Sequence, residues 1–286
     1  MAWEQIVIIG TGPLACECLA SARKTTARVI CIEPEMGAMS RLAALCRQSG
    51  TNYHRETDRA VLRKLFEAIT VPTLVVSAYN NYIFPRFVVE SQNLLLVNFH
   101  NSLLPRHPGR NAPTWSIFEE DEESGVTWHL VQPAIDAGDI VFQASMTVPP
   151  LVRAIELTRQ TLELGGRTFR DLLPRLWSGD YSTRPQTRSG TRTLRKSTDI
   201  PNDGKLDLSL EPHRISALLR SVDYGGLPVF PQLRLTLDGQ EYVVVRYSIE
   251  RAPGISSNTA VSPRGVRIQG DELLIQVSLA EGEKPQ

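Results

Sequence analysis

Short runs of consecutive apolar residues alternate with helical-period windows along the N-terminal part of the chain. Gln5–Ile9, Ala27–Glu33, Thr73–Tyr79 and Leu94–Val97 are such runs. Stretches dominated by adjacent apolar residues rather than strict alternation read as strands buried on both faces, the pattern of a parallel sheet. Between them, Leu14–Arg23, Met39–Gln48 and Asp58–Ile69 read as helices, the last with an apolar stripe of Ala60, Leu62, Leu65, Phe66 and Ile69. Val126–Val131 alternates as a strand, and Ile140–Ala144 follows as its neighbour. Leu151–Trp177 is predominantly helical, with Gly165-Gly166 marking a close approach or a break. After a polar stretch, Pro212–Val222 carries apolar residues at i, i+3, i+4 and i+7. Short strands are expected at Leu233–Leu237, Tyr242–Ile249, Gly265–Gln269 and Leu273–Leu279, with hairpin signals at Asp238-Gly239 and Gly270-Asp271. The pattern predicts an α/β domain with a mostly parallel sheet, then a smaller β-barrel-like domain.

Chemistry concentrates where the fourth apolar run ends. Asn98 and His100 stand two residues apart, and side chains at i and i+2 of a strand share a face. An amide and an imidazole can therefore address one point. Open α/β sheets bind ligands at the carboxyl ends of their strands, and Pro105 with Pro108-Gly109 marks the loop that follows. A rival address lies at the first strand. Gly10-x-Gly12-x-x-Ala15, with Glu33 at the end of the second run, matches a dinucleotide fingerprint, so a NAD-binding oxidoreductase is a reading of a different class. The plainer account is a tight strand-to-helix turn needing glycine for clearance, and Pro13 removes a backbone N–H a phosphate would use.

Composition narrows the partners. Lys+Arg and Asp+Glu are 31 each, so no overall charge draws the chain to nucleic acid or an anionic membrane. Without a basic leader or an apolar run of spanning length, a soluble cytoplasmic protein is expected. Cys16, Cys18, Cys31 and Cys46 lack metal-ligand spacing and read as buried free thiols; no metal is expected. Ser178–Ser197 is rich in Arg, Thr, Ser and Pro. Arg184, Arg188, Arg192, Arg195 and Lys196 could meet phosphate, but a solvated linker is the safer reading. The acidic run Glu119–Glu123 reads as a solvated turn, and the tail from Glu281 as disordered.

Four elements in order carry a resemblance: Asn98-x-His100, Ser102-Leu103-Leu104-Pro105, Gly125-Val126-Thr127 and Asp136-x-Gly138-Asp139. Together they resemble the 10-formyltetrahydrofolate-dependent formyltransferase family, which includes methionyl-tRNA, glycinamide-ribonucleotide and amino-sugar formyltransferases and formylation domains of peptide synthetases. The resemblance implies a Rossmann-like formyltransferase catalytic domain over 1–178, a linker over 179–203, a small β-rich domain over 204–280 and a tail over 281–286. It implies Asn98, His100 and Asp136 as the catalytic set, with Asp139 shaping the loop. Folate contacts would come from Tyr82, Ile83 and Phe84, where two asparagines replace the family's usual single glycine, and from Ile135, Ala137 and Asp139. Asp203-Gly204-Lys205-Leu206-Asp207-Leu208 resembles the element closing the family's linker, with Leu in place of Trp.

Formyl transfer is attack by an amine on the N10-formyl carbon through a tetrahedral oxyanion. It needs positioning, oxyanion stabilisation and removal of a proton. The Asn98 carboxamide suits the oxyanion; the His100 imidazole, whose unperturbed pKa is about 6.5, suits proton transfer; Asp136 suits support of the imidazolium. His107 and His129 follow the motif without a role assigned. The neutral charge and a second domain of only about 80 residues weigh against a tRNA acceptor. The resemblance points first to an amino acid, free or carrier-protein-bound, in a peptide natural-product or siderophore pathway, then to a nucleotide-linked amino sugar. A formyltetrahydrofolate hydrolase is the remaining member of the set; such enzymes usually carry an N-terminal regulatory domain, and none precedes Gln5, so transfer is expected.

Overall fold

A computed structural model describes residues 3–34, 40–187, 193–252, 258–270 and 272–281. They divide into two compact units: Met1–Gly109, Gly125–Met146 and Arg159–Leu194 form the first, and Arg110–Ser124, Thr147–Thr158 and Arg195–Gln286 the second. The units interleave along the chain rather than following one another. Residues 179–187, expected to open a linker, belong to the first unit. Among the described residues no helix is long and apolar enough to cross a membrane.

The first unit is built on seven strands: β1 (Gln5–Gly10), β2 (Arg28–Glu33), β3 (Asn52–Arg55), β4 (Thr73–Ala78), β5 (Leu94–His100), β6 (Glu123–Leu130) and β7 (Ile140–Thr147). Their order is β3-β2-β1-β4-β5-β6-β7. The first five are parallel, and β6 turns back antiparallel on β5. The apolar runs on β1 and β4 are buried throughout, as strands covered on both faces must be. On one face, Ile6, Ile8, Leu74, Val76, Val97, Phe99 and Trp128 join α1 (Gly12–Ala22), α2 (Arg41–Ser49) and the long α6 (Ala154–Ser178). On the other, Val7, Ile9, Val75 and Leu96 meet Leu62 and Phe66 of α3 (Arg59–Glu67) and Val88 of the single-turn α4 (Arg86–Val89).

Local chemistry sets the helix ends. Ser40 and Asp58 cap α2 and α3 by accepting from the Ala43 and Ala60 N–H groups; Met39, where the first of these helices was expected to start, lies outside the described residues. Gly165 does not break α6. A Cβ there would run into the Phe99 ring, so glycine lets the helix lie close against β5 on the strand face opposite Asn98 and His100. The four cysteines are free and buried. Strand β3 went unanticipated because Asn52–Arg55 holds no aliphatic residue, and its pairing with β2 supplies what its pattern lacks.

In the second unit, α5 (Ala112–Phe118) and α7 (Pro212–Ser221) accompany an antiparallel sheet of β8 (Arg234–Leu237), β9 (Gln240–Arg251), β10 (Asn258–Ser262), β11 (Gly265–Gln269) and β12 (Leu273–Glu281). Its order is β10-β11-β12-β9-β8, an antiparallel sheet in keeping with the barrel-like second domain expected from the sequence. Leu235, Tyr242, Val266, Ile268, Ile275 and Val277 pack with Ile215, Leu218 and Leu219 of α7. The β8–β9 turn sits on Asp238 (φ 48°) and Gly239 (φ 79°), the twin positive angles of a tight hairpin. Asp271 of the second hairpin signal and residues 282–286 of the tail lie outside the described residues. Edge strand β10 is exposed along its length, which is why no alternation announced it.

Candidate active site at the end of the fifth strand

Polar residues collect at the carboxyl end of β5, on the face opposite Val97 and Phe99. Antiparallel pairing sets His129 across from Asn98 and Thr127 across from His100. The Asn98 amide is oriented from both ends. Its Oδ1 accepts from the Ser77 hydroxyl at 2.6 Å, and that hydroxyl accepts from Asn80 Nδ2 at 2.7 Å. Asn98 Nδ2 lies 3.0 Å from His129 Nε2, while His129 Nδ1 lies 2.8 Å from the Leu130 carbonyl. A carbonyl can only accept, so His129 carries its proton on Nδ1 and takes an Asn98 N–H on Nε2. The second Asn98 N–H remains a donor for a reacting group.

His100 is buried, and its Nε2 donates to the carbonyl of His107 at 2.8 Å. His107 sits at φ 48°, a left-handed turn in the loop after β5. That loop is pinned by Thr127: its hydroxyl donates to the Ser102 carbonyl and accepts from the Leu104 N–H and Gln143 Nε2.

Asp136 closes the set. Its Oδ2 accepts from the Gly109 N–H at 2.7 Å and lies 3.6 Å from His100 Nδ1; its Oδ1 lies 3.6 Å from His129 Nε2. At 3.6 Å these contacts are too long for hydrogen bonds, and each becomes an ion pair only when the ring nitrogen facing the carboxylate takes up a proton. Burial alone would push the carboxyl up. The charge of His100 beside it, then His129 and the Gly109 N–H, outweigh burial and hold Asp136 well below the usual carboxylate range. Asn98, His129, Asp136 and His100 thus form one unbroken chain of contacts.

The expected folate-contacting residues divide. Tyr82 and Phe84 turn their rings onto Phe66, at centroid distances of 5.9 and 5.5 Å, and the Tyr82 N–H donates to Asn80 Oδ1 at 2.7 Å. Ile83 and Ile135 are 58% and 44% exposed, high values for isoleucine. Ala137 and Asp139 act through the main chain: the Ala137 N–H donates to Ala134 and the Asp139 carbonyl accepts from Leu130. A Cβ at Gly138 would meet the Leu130 carbonyl oxygen, so this loop position demands glycine.

Two participants were not assigned from the sequence. His129 was visible as the residue two after Thr127, on the same strand face, but only the β5–β6 register puts it against Asn98. Gln186 came from the stretch expected to be solvated. There Arg184 exchanges two main-chain hydrogen bonds with Ile140 and donates to Gln143 Oε1 at 2.6 Å, while Gln186 Nε2 bonds the carbonyls of Asp136 and Gly138. In the second unit, Arg195 stacks 3.7 Å over Trp115 and pairs with Glu119. These side chains are engaged within the protein; Arg188 and Arg192 lie outside the described residues.

At the fingerprint-like turn, Glu33 is 2% exposed. Its Oε2 accepts from the hydroxyls of Ser40 and Tyr53, with Arg55 at 3.5 Å. The acid that a dinucleotide ribose would require is already committed to its own fold.

Residues 6–173 match the family model described as formyl transferase. The chain belongs to the formyl transferase family. The chain is 31% identical over 183 residues to a methionyl-tRNA formyltransferase of Chloroflexus aurantiacus, covering 63% of this chain and 56% of that one. It is 30% identical over 209 residues to a methionyl-tRNA formyltransferase of Synechococcus sp., covering 73% and 60%. It therefore spans little more than half the length of these curated relatives. Among solved structures, an N-formyltransferase from Helicobacter canadensis, in complex with folinic acid and dTDP-3-aminofucose, superposes with a TM-score of 0.73 at 18% identity, covering 97% of this chain and 100% of that one. A sugar 3-N-formyltransferase, WlaRD, studied with dTDP and 5-N-formyl-THF, gives 0.73 at 17% identity with full coverage of both chains. At these identities the likeness is one of fold.

Proposed function

We propose that the protein transfers the formyl group of 10-formyltetrahydrofolate to a primary or hydroxylated amine, with Asn98, His100 and Asp136 as its catalytic residues. The observation that carries this reading is the continuous Asn98–His129–Asp136–His100 contact chain at the carboxyl end of β5. The acceptor amine attacks the formyl carbon, and the carbonyl electron pair moves onto oxygen. The second Asn98 N–H takes that oxyanion; because Ser77 and His129 already fix the amide, no reorganisation is needed as charge develops. The amine proton passes to His100 Nδ1, the nitrogen turned toward Asp136, and the ionised carboxylate stabilises the imidazolium. Collapse breaks the C–N10 bond and delivers the proton to N10, giving formamide and tetrahydrofolate. The folate ring system would lie against the exposed Ile83 and Ile135 and the main chain beside them.

For the acceptor, an amino acid, free or on a carrier protein, is the first reading, carried over from the likeness of Gly125–His129 and Ile135–Asp139 to natural-product formylation domains. A nucleotide-linked amino sugar is the second, favoured by the full-length overlay on two N-formyltransferases studied with dTDP or a dTDP-amino sugar. Calorimetry with folinic acid and with NAD, followed by an amine panel with 10-formyltetrahydrofolate, tests the proposal. Folinic acid should bind in the micromolar range and NAD should give no heat. Heat from NAD alone would replace the proposal with the oxidoreductase reading. Rapid formate release without any amine would replace it with a hydrolase.

A further inference from the structure

A side chain from outside the loop that presents Asp136 grips that loop by its backbone. Asp136 has φ 46°, in the left-handed region that a non-glycine residue occupies only when its surroundings over-determine it. Gln186 Nε2 supplies such a constraint. It donates to the Asp136 carbonyl at 2.9 Å and to the Gly138 carbonyl at 2.7 Å, gripping the turn at two points two residues apart. Two carbonyls can be met only by the NH2 end of an amide, so the orientation of Gln186 is fixed. Its Oε1 is buried with no hydrogen-bond partner, so the whole polar engagement of the side chain is this grip. Gln186 is itself set in place by the adjoining pairing of Arg184 with Ile140, directly after the Asp139 loop.

We infer that Gln186 is a positioning residue for formyl transfer: it fixes the backbone of the 136–138 turn and so the placement of the Asp136 carboxylate between His100 and His129. The inference rests on the proposed role of Asp136 and goes beyond it by assigning a task to a residue outside the matched family region of 6–173. A side chain that only packed would leave the carboxylate where it is when replaced by one of similar bulk. A side chain that positions would not.

The test follows the His100 ring by NMR as a function of pH in the full-length protein, with no acceptor required. Asp136→Asn removes the negative charge beside His100 and should move its titration to lower pH. Gln186→Leu keeps the bulk but removes both donors and keeps water out; it should move the His100 titration the same way, by at least half as much. Gln186→Ala, which lets water replace the donors, should give a smaller shift of the same sign. The exposed His213 serves as the internal reference and should not move. Both Gln186 variants titrating with the wild type, while Asp136→Asn shifts His100, would overturn the positioning role and leave the active-site proposal standing. No shift in Asp136→Asn would instead overturn the placement of the carboxylate on which both rest.

Discussion

Two strand ends of the same parallel sheet carry acidic and polar residues, and they are built differently. At the end of β2, Glu33 gathers Ser40, Tyr53 and Arg55 around one carboxylate oxygen. Every one of those groups comes from a neighbouring stretch of the fold, and the result is a closed structural knot. At the end of β5, the partners of Asn98 and Asp136 orient them while leaving capacity over: a second amide N–H, and carboxylate contacts that at 3.6 Å are too long for hydrogen bonds. The first arrangement matches a nucleotide-binding sequence pattern, the second an ordered set of catalytic residues. A motif marks where chemistry could sit; what the polar groups have left to offer decides whether it does.

Substitutions at the two ends should separate accordingly. The largest effect is expected for His100→Ala, with kcat reduced about 10²–10⁴-fold, the usual value of positioned proton transfer. Asn98→Ala should follow at about 10²–10³-fold with donor affinity little changed, because the amide acts mainly in the transition state. Steady-state kinetics with an accepted amine, beside folinic acid binding, checks both.

Asp136→Asn should lower kcat about 10²-fold and also carry a pH signature. The folded-state carboxyl is held below its usual range, so its stabilising contribution is complete above the ordinary aspartate value near ~3.9 and is lost as pH falls through the lowered one. The unfolding free energy of wild type over Asp136→Asn should therefore be greatest near neutrality and shrink below about pH 4, as urea titrations at several pH values would reveal. A gap that widens in acid would mean the carboxyl is not ionised in the folded state.

Glu33→Gln should do the opposite of these: about 1–3 kcal/mol of stability lost, since a buried charged acceptor is weakened, with kcat within about twofold. The smallest effect on turnover is expected for Asp139→Asn, within about threefold, with more change in folate affinity, because Asp139 meets Leu130 through its carbonyl rather than its carboxylate. Abolished turnover in Asp139→Asn beside a near-normal Asp136→Asn would exchange their roles.

Much of this was legible in the chain because it is local. Continuous apolar runs mark buried strands, and the two-residue spacing of Asn98 and His100 puts them on one face wherever the strand goes. What stayed hidden depends on pairing between distant segments. His129 joins Asn98 only through antiparallel register, and Gln186 reaches the Asp136 turn only because Arg184 pairs with Ile140. Strands β3 and β10 escaped for a related reason: Asn52–Arg55 and Asn258–Ser262 are polar or exposed, and it is their neighbours that make them strands. The interleaving of the two units is likewise invisible to a linear boundary search.

The most direct measurement follows a ¹³C-formyl label from 10-formyltetrahydrofolate into an amine panel with wild type, Asn98→Ala, His100→Ala and Glu33→Gln in parallel. The label should appear as a formamide with wild type and Glu33→Gln, and fall by at least about a hundredfold in the other two. Undiminished labelling by Asn98→Ala and His100→Ala, or its loss in a stably folded Glu33→Gln, would contradict the assignment of the chemistry to the end of β5.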